Sequence, residues 1–391
     1  MEAVLSAPIS VVAAGVATPL GLDVETFWSG LVTGVDGTSP IERFDVADLR
    51  VGRGGEIKKL AALADVAPSA CRASSLLVTA ADDLRSHAAL TADAARIAVV
   101  LGTALGGVDE LDRALAGAPG PRAAAAGLYD SPAHALARRL GAEGPVLTVS
   151  TACASGATAI GVGADLLNAD AADLVVAGGY DVLCRFVLCG FDALRSLTRD
   201  RVRPFDRRRN GLLLGEAAGL VLLARESDAR PRLGRLLGHA SSSDGSHIAA
   251  PDPEGRGLEH ATRAAMTAAG IAARDVDVVS AHGTGTVLND RIETSVLKRV
   301  LGAHAYAVPV NSIKGALGHT MGAAATLEAI MCLLAARDGV VPSTVGYEEP
   351  DPACDLDYVP RTARHARTRI GLSTSLGFGG CNAALVLEGG S

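Results

Sequence analysis

The strongest constraint on the fold is an alternation of short apolar runs with longer helix-like runs along the whole chain. Continuous apolar runs between helices are typical of parallel-rich sheets that are covered on both faces. The predicted strands span residues 9–17, 96–104, 145–151, 173–179, 218–225, 276–282, 306–312 and 381–388. The predicted helices span residues 24–33, 75–88, 130–140, 153–168, 257–270, 291–301 and 322–337. This order predicts an α/β fold.

A charged stretch that contains a proline, residues 224–232, is the best place to divide the chain. The 391 residues suit either two or three ordinary domains or one large duplicated unit. We therefore expect an N-terminal half over residues 1–230 and a C-terminal half over residues 231–391. Sequence similarity between the two halves is weak, so a duplication stays a hypothesis at this point.

Composition excludes several classes of protein. The chain has 36 Lys and Arg against 43 Asp and Glu, and its net charge of −7 argues against a general nucleic-acid-binding protein. Seven cysteines without regular spacing predict neither a zinc site nor a disulfide framework, and they favour a reducing cytosol. Residues 1–20 lack the basic segment of a signal peptide, and no run of eighteen strongly apolar residues occurs. We expect a cytoplasmic protein with no membrane span.

One cysteine lies inside a stretch of small residues, VSTACASGATAIG, residues 149–161. A strand that ends at Thr151 and a helix that begins near Cys153 place the thiol at a helix N-terminus, where the macrodipole and free N–H groups favour a thiolate. The small neighbours permit a sharp turn and a close approach of substrate. Most free cysteines are buried structural residues, and that alternative stays open for Cys153 on this local evidence.

Two further loops carry histidines. In AHGTGTVLND, residues 281–290, a predicted strand ends at His282 and opens into a glycine loop whose hydroxyl groups, on Thr284 and Thr286, can bind an amide or a phosphate-linked arm. A simple turn that His282 caps is the alternative.

The second histidine belongs to NSIKGALGHTMGAAATLEAI, residues 311–330, where His319 precedes a helix of small residues. Lys314 can orient His319, and Glu328 can pair with Lys314 in space. A solvated lysine and a capping histidine are the alternative.

The last motif is STSLGFGGCN, residues 373–382. Its glycines let backbone N–H groups around Phe378 face a ligand, as an oxyanion hole requires, although a glycine-rich hairpin would look the same. Together the four motifs supply a thiol, two imidazoles, an amine and a loop rich in N–H groups, all at the ends of predicted strands. This combination suits covalent catalysis on a thioester.

In this order the four motifs resemble those of the β-ketoacyl-acyl carrier protein synthases (ketosynthases), of the elongating type, from fatty acid and type II polyketide synthesis. The resemblance covers essentially the whole chain and includes residues 16–37, 203–219 and 246–257. It implies a thiolase-like fold, with two pseudo-repeated halves in a five-layered αβαβα arrangement. It also implies a decarboxylative Claisen condensation, in which an acyl chain held on Cys153 reacts with malonyl-acyl carrier protein to give a β-ketoacyl chain two carbons longer.

The resemblance assigns roles to individual residues. The implied catalytic residues are Cys153, His282, His319 and Lys314, with Glu328 supporting Lys314. The backbone N–H groups of Cys153 and Phe378 would form the oxyanion hole. The implied pantetheine-binding residues are Thr284 and Thr286, and the implied gate and acyl-pocket residues are Phe378, Leu376, Leu105 and Phe191.

Departures from the family pattern remove no catalytic group. Leu376 stands where an aromatic residue is common, Cys381 where threonine is common, Gly315 where serine is frequent and Val287 where proline is frequent. Several of these positions surround the pocket and gate, so the substrate preference is open. Residues 190–218 resemble the ketosynthases of polyene-forming, highly reducing type II systems more than they resemble housekeeping enzymes.

The resemblance implies no metal and no bound organic cofactor, because the substrates arrive on the phosphopantetheine arm of acyl carrier protein. The implied partners are that carrier and, in a dimer, either a second copy or a chain-length-factor-like subunit; we expect no nucleic acid and no membrane. Basic residues that could face an acidic carrier are Arg201, Arg203, Arg207, Arg208 and Arg209, with Lys58, Lys59 and Arg72. The alternatives are a housekeeping fatty acid elongation synthase, a non-catalytic chain-length-factor-like subunit, and a thiolase or acyltransferase that uses coenzyme A.

Overall fold

The computed structural model describes residues 7–60, 71–115, 117, 125, 127–226 and 232–390. Its strands are β1 Ile9–Ala17, β2 Ser39–Pro40, β3 Arg53–Gly54, β4 Ile97–Gly102, β5 Val146–Val149, β6 Leu174–Asp181, β7 Ala217–Arg225, β8 Gly234–Ser243, β9 Val278–Ser280, β10 Val310–Asn311, β11 Val340–Val341, β12 Arg364–His365, β13 Ile370–Gly377 and β14 Cys381–Gly389. Its α-helices are α1 Val24–Thr33, α2 Arg72–His87, α3 Val108–Leu115, α4 Ser131–Leu140, α5 Ser155–Asn168, α6 Arg185–Ala193, α7 Arg256–Ala268, α8 Val287–Leu301, α9 Lys314–Leu317 and α10 Ala324–Asp338.

Ten of these strands follow one another in the order β10-β9-β13-β14-β8-β1-β7-β6-β4-β5. In the N-terminal half β4 pairs parallel with β5 and β6, while β7 pairs antiparallel with β6 and β1. In the C-terminal half β9 pairs parallel with β10 and β13, while β14 pairs antiparallel with β13 and β8. Each half therefore has the same strand order and the same directions, and the two meet where β1 pairs with β8. The duplication that sequence similarity left open is present in the topology.

Helices fill the spaces between and outside the two halves. Helices α2 and α4 pack on the outer face of the N-terminal strands, α7 packs on the outer face of the C-terminal strands, and α8 packs against α7 in the same core cluster. Helices α5 and α10 pack against each other and against the inner faces of both halves. The result is the five-layered αβαβα arrangement of a thiolase-like fold, as expected.

The composition of the two central helices explains their position. Every residue of α10 from Ala324 to Ala335 is buried, and α5 is built from glycine, alanine and other small or apolar side chains as far as Ala164. A helix that is apolar on all sides must be covered all round. The largest core cluster accordingly includes residues from both of these helices and from strands of both halves.

The differences between predicted and observed elements have local causes. Strands β8 and β13 escaped prediction because both are interrupted by polar residues, of which Ser373, Thr374 and Ser375 are buried. Residues 306–309 were predicted as strand, but a 3₁₀ helix extends to Tyr306 and only Val310–Asn311 pairs with β9. Helices α3 and α6 were not predicted, and the proposed division between residues 230 and 231 lies outside the described residues. Among the described helices, none is long and apolar enough to cross a membrane.

The central layer should carry a large share of the stability. Leu327 of α10 is fully buried between the two halves, so replacement by alanine leaves a cavity. We expect Leu327→Ala to lower the free energy of unfolding by about 2–5 kcal/mol in urea denaturation. Val35→Ala, at a position that is 46 % exposed, is the control and should change it by less than about 0.5 kcal/mol. Equal losses in the two variants would contradict a shared core.

Candidate active site

A cleft of about 400 Å³ opens at the ends of the strands and reaches down to Cys153. Three other predicted site regions reach the same cleft: the histidines His282 and His319, the hydroxyl pair Thr284 and Thr286, and the glycine loop at residues 376–378. The further lining residues are Phe191, Leu194, Arg195, Ser196, Asn210, Gly211, Leu212, His247, Ala249, Ala250, Pro251, Val287, Leu288 and Asn289. Sequence reasoning had singled out neither Asn210 nor His247, because a lone polar residue in a loop carries no signal of its own.

Cys153 sits in a tight turn between β5 and α5. Ala152 adopts a left-handed backbone conformation with φ of 50°, and the N–H of Thr151 donates a hydrogen bond to the Ser155 hydroxyl. Helix α5 begins at Ser155, two residues later than Cys153, so the thiol lies just before the first helical turn rather than inside it. The side chain is buried, with 7 % exposure. The N-terminal end of α5 thus favours negative charge on the sulfur.

Both histidines approach Cys153. The Nε2 atom of His319 lies 3.0 Å from the Cys153 Sγ atom, and the rings of His282 and His319 are 5.3 Å apart between centroids at 84° to one another. Both imidazoles are buried, and burial, helped by the positive charge of Lys314, holds their pKa values well below the ordinary value for histidine. Both rings are therefore neutral at physiological pH.

One hydrogen bond decides which nitrogen of His319 carries the proton. The N–H of Met321 donates to His319 Nδ1 at 3.2 Å, so Nδ1 is unprotonated and the proton lies on Nε2, facing Cys153. His282 Nδ1 is buried without a partner among the described residues. The His319 ring accordingly presents an Nε2–H donor to Cys153 and cannot accept a proton through that nitrogen.

The same arrangement fits a metal poorly. Cys153, His282 and His319 bring their ligand atoms within 4.8 Å of one another, which is close enough to consider a bound cation. Coordination through His319 Nε2 would require the ring proton to move to Nδ1, where it would face the N–H of Met321. The Lys314 ammonium, which also acts on all three groups, would repel a cation further. The donor set suits hydrogen bonding to an oxyanion better than metal binding.

Lys314 and Glu328 form a salt bridge beneath the two histidines, as the sequence predicted. Both side chains are essentially fully buried, and the Lys314 Nζ atom bonds the Glu328 Oε1 atom. Burial raises the pKa of Glu328, and Lys314 opposes that shift. A buried ion of either sign is costly alone, so each of these side chains needs the other as its partner. Lys314 does not line the cleft and acts on the site through its field.

The pKa of the Cys153 thiol is set by effects of opposite sign. Burial raises its pKa to about 12, while the charge of Lys314 and the backbone N–H of Phe378 lower it. The balance keeps the sulfur protonated near neutral pH. Because the nearest imidazole is itself a donor, neutral His319 is not the base that removes this proton.

The glycine loop after β13 brings the N–H of Phe378 to the sulfur. A Cβ atom at Gly377 would lie 2.8 Å from the Thr151 carbonyl oxygen, so only glycine permits this approach. The Phe378 ring stacks on Phe191 with centroids 5.4 Å apart and an interplanar angle of 17°. This pair forms one wall of the cleft beside Leu376.

Buried carboxylates that the sequence did not reveal hold the histidine loop in place. Glu293 of α8 accepts hydrogen bonds from the N–H groups of His282 and Gly283 and from the Thr374 hydroxyl. Burial raises the pKa of Glu293 to about 7 and these donors lower it. In the sequence Glu293 looks like any helix-surface glutamate, so only its packing identifies its role in placing His282.

Two groups of residues from the sequence-based hypothesis lie away from the cleft. Leu105 does not line it; its side chain packs against the outer core cluster of the N-terminal half. Of the basic residues considered for carrier docking, Arg72 pairs with buried Glu216 and Arg209 pairs with Asp351. These two arginines stabilise the fold and are not part of an open basic surface.

Alkylation of Cys153 should reflect its raised pKa. We expect the rate of iodoacetamide modification to rise by about tenfold per pH unit from pH 7 to 9, with no plateau, because the thiol stays mostly protonated in this range. Peptide mass spectrometry separates Cys153 from the half-exposed Cys189 and Cys381, and glutathione is the control thiol. A plateau for Cys153 below pH 9 would contradict the raised value.

Comparison with known proteins agrees with this geometry. The β-ketoacyl synthase N-terminal domain matches residues 6–229, and the β-ketoacyl synthase C-terminal domain matches residues 233–348. The tetracenomycin polyketide synthase ketoacyl synthase alpha subunit of Streptomyces glaucescens is 38 % identical, over 95 % of each chain. The 3-oxoacyl-[acyl-carrier-protein] synthase 2 of Synechocystis is 34 % identical, over 96 % of each chain.

Solved structures give the same result. The ishigamide ketosynthase/chain length factor superposes with a TM-score of 0.92 and 32 % identity, covering 99 % of this chain and 100 % of that one. The AntDE:AntF complex, a type II polyketide synthase acyl-carrier protein with its ketosynthase bound to the hexaketide, superposes with a TM-score of 0.91 and 26 % identity, covering 99 % and 100 %. With matching domains over both halves and its thiol and two imidazoles gathered in one cleft, the chain belongs to the β-ketoacyl synthase family and is a ketosynthase.

Proposed function

We propose that this ketosynthase elongates acyl chains in a type II polyketide pathway of the highly reducing, polyene-forming kind. The observation that carries the catalytic part is the contact between the Cys153 sulfur and the His319 Nε2–H group, with the Lys314–Glu328 salt bridge beneath. The polyketide assignment is supported by 38 % identity to the tetracenomycin alpha subunit and by the resemblance of residues 190–218 to ketosynthases of polyene systems.

In the first step Cys153 takes the acyl chain from its carrier. The Cys153 thiolate attacks the thioester carbonyl, a new C–S bond forms, and the pantetheine thiol of the carrier leaves with a proton. The N–H groups of Cys153 and Phe378 stabilise the negative charge on the carbonyl oxygen. The end of α5 and the charge of Lys314 favour the transient thiolate.

In the second step malonyl-acyl carrier protein enters the cleft. The Nε2–H groups of His282 and His319 donate to the oxygen of the malonyl thioester, so negative charge can accumulate there as CO₂ leaves. The resulting enolate carbon attacks the Cys153 thioester, the new C–C bond forms, and the Cys153 thiolate is expelled. Two neutral donors suit this step because neither is a permanent cation that would trap the thiolate.

We propose that Thr284 and Thr286 bind the pantetheine arm, because both line the same cleft as His282 and Cys153. Their hydroxyl oxygens lie 2.9 Å apart, which leaves donor and acceptor capacity for an amide of the arm. The stacked rings of Phe378 and Phe191, beside Leu376, would gate the acyl chain. The substrates bring the arm themselves, so the reaction needs no resident cofactor.

A dimer is expected for this family, and the sheet suggests where it forms. Strand β5 is one terminal strand, and its Leu147 is 38 % exposed, whereas the other terminal strand, β10, is buried. Leu128 and Tyr129 are also exposed in the loop before α4. An exposed apolar edge strand pairs readily with another chain. We propose a chain-length-factor-like subunit as the occupant, because the ishigamide and ApeO ketosynthases were solved with such partners.

Other functions have less support. Housekeeping fatty acid elongation is the second candidate, favoured by 34 % identity to the Synechocystis synthase. A non-catalytic chain-length-factor-like role is disfavoured by the presence of Cys153, both histidines and Lys314.

The cysteines bear on the cellular compartment. The seven free thiols suit a reducing compartment, so we propose that the protein works in the cytoplasm.

Acyl loading tests the substrate and the nucleophile together. We expect intact-mass measurement to show an acyl adduct when the protein, with and without a candidate chain-length-factor subunit, meets a panel of saturated and polyunsaturated acyl carriers. Cys153→Ala should form none, while His319→Ala should keep the adduct but lose about 10²–10³-fold in condensation rate. Preference for a polyunsaturated chain supports the polyene pathway, and preference for saturated chains would favour fatty acid elongation. An adduct that persists in Cys153→Ala would refute the assigned nucleophile.

The exposed edge strand β5 predicts where the dimer interface lies. We expect Leu147→Lys to dissociate the dimer, because it places a charge in the middle of an apolar edge. Analytical ultracentrifugation measures the change, with Val35→Lys as a control on a different surface. A dimer that is equally stable in both variants would place the interface elsewhere.

A further inference from the structure

One buried carboxylate outside the catalytic group collects four hydrogen bonds from two separate loops. Asp181, at the end of β6, is completely buried. Its Oδ1 atom accepts from the Thr103 hydroxyl at 2.7 Å and from the Leu105 N–H at 3.0 Å. Its Oδ2 atom accepts from the Ala104 N–H at 2.9 Å and from the Gly322 N–H at 2.6 Å. A carboxylate has about four lone-pair sites, so Asp181 is fully occupied.

No lysine, arginine or histidine of the described residues forms an ion pair with Asp181, so its charge is held by these four donors alone. Burial raises the pKa of Asp181 to about 6 and the hydrogen bonds lower it, so the group is ionised above neutral pH. A buried charge without a counter-ion is costly. The cost of burying the Asp181 carboxylate indicates that the two backbone segments it connects, the loop after β4 and the turn at Gly322, need to be held together.

The Gly322 donor connects Asp181 to the catalytic histidine. Gly322 follows Met321, which has a left-handed φ of 51° that an unbranched L-residue adopts only at a cost. The N–H of Met321 donates to His319 Nδ1, and the next N–H along the chain donates to Asp181. Asp181 therefore holds Met321 in the conformation that keeps its N–H on the His319 ring.

The backbone at Gly322 is packed too closely for its N–H group to turn toward another acceptor. A Cβ atom at Gly322 would lie 2.7 Å from the Asp181 Oδ2 atom and 2.7 Å from the Thr103 Cα atom. The backbone of Gly322 is thus at its closest possible approach to the carboxylate and to the loop after β4. A change at Asp181 must move the Met321–Gly322 turn.

We propose that Asp181 is a positioning residue for His319, which through Gly322 and Met321 keeps the imidazole in its Nε2–H form and aimed at Cys153. The proposal rests on the condensation chemistry of the ketosynthase and not on the pathway or the acyl chain. It gives Asp181 no contact with substrate. Its effect should appear in the step that uses the His319 donor, which is decarboxylation of the malonyl unit.

The test is Asp181→Asn, which keeps the shape of the side chain. An amide NH₂ group cannot accept hydrogen bonds, so two of the four donors lose their partner. We expect the rate of malonyl decarboxylation and condensation to fall by about tenfold or more, while the rate of acyl loading of Cys153 does not fall. Loading depends on backbone donors that Asp181 does not touch.

The rate of Cys153 alkylation is a second readout, and it should rise in Asp181→Asn whereas the condensation rate falls. The negative charge of Asp181 raises the pKa of Cys153, so its removal should shift the alkylation profile of Cys153 to lower pH. The variant should therefore alkylate faster at a given pH while it condenses more slowly. Imidazole nitrogen NMR, assigned with His319→Gln, should also show loss of the single Nε2–H form.

The matched comparison is Asp290→Asn. Asp290 is likewise fully buried and accepts from the N–H groups of Phe205 and Gly285, but among the described residues it accepts no hydrogen bond from the Met321–Gly322 turn. We expect this variant to leave the alkylation profile and the His319 tautomer unchanged. Circular dichroism verifies that each variant is folded.

If Asp181→Asn does not fold, Thr103→Val replaces it, with Thr103→Ser as the control that keeps the hydroxyl group. Valine removes one of the four donors, so a smaller loss in the same decarboxylation step is expected. An unchanged His319 tautomer, or equal losses in loading and decarboxylation, would overturn the proposal. Because the NMR readout needs no substrate, it also stands if the wild-type protein condenses none of the acyl chains supplied.

Discussion

Close backbone packing around Gly322 is the contact on which the site depends. A Cβ atom at Gly179 would lie 2.1 Å from the Gly322 carbonyl oxygen, and one at Gly156 would lie 2.8 Å from the same atom. Strand β6, the first turn of α5 and the loop before α10 therefore meet with no side chain between them. This contact allows a thiol from the N-terminal half and an imidazole from the C-terminal half to approach within 3.0 Å.

Buried charged groups hold the side chains of the cleft in position once the backbone is packed. The Lys314–Glu328 salt bridge sets the field under both histidines, Glu293 holds the backbone at His282, and Asp181 holds the turn after His319. Each of these groups is buried and each bonds backbone or another charge. The side chains proposed to react, those of Cys153, His282 and His319, make few hydrogen bonds, which leaves their polar atoms available to substrate. The buried charged groups therefore hold the backbone rigid, while the side chains that line the cleft keep free donors and acceptors.

The sequence indicated the groups that line the cleft better than it indicated the residues that support them. Cys153, His282 and His319 each follow an apolar run and stand among glycines, a pattern that marks the open ends of strands, and all three reach one cleft. Family resemblance then supplied the five-layered fold, because the matching order of strands in the two halves leaves only a weak trace in the residues themselves.

Two of the supporting residues, Asp181 and Glu293, could not be predicted for a physical reason. Asp181 and Glu293 are charged residues, which in a sequence indicate a solvated surface, and only their position beneath a loop makes them structural. Strand β13 was missed for the same reason, since its buried hydroxyl residues resemble a polar turn. Leu105 was assigned to the pocket by resemblance, yet its loop is drawn toward Asp181 and its side chain packs in the outer core cluster.

The fixed tautomer of His319 has a consequence for the proposed acyl-enzyme. Hydrolysis of a thioester near neutral pH needs a base that can take a proton from water, and the His319 ring presents only an N–H to the Cys153 sulfur. Its other nitrogen accepts from the N–H of Met321. The imidazole that lies against a loaded chain would therefore not promote its release by water during the interval between departure of one carrier and arrival of the next.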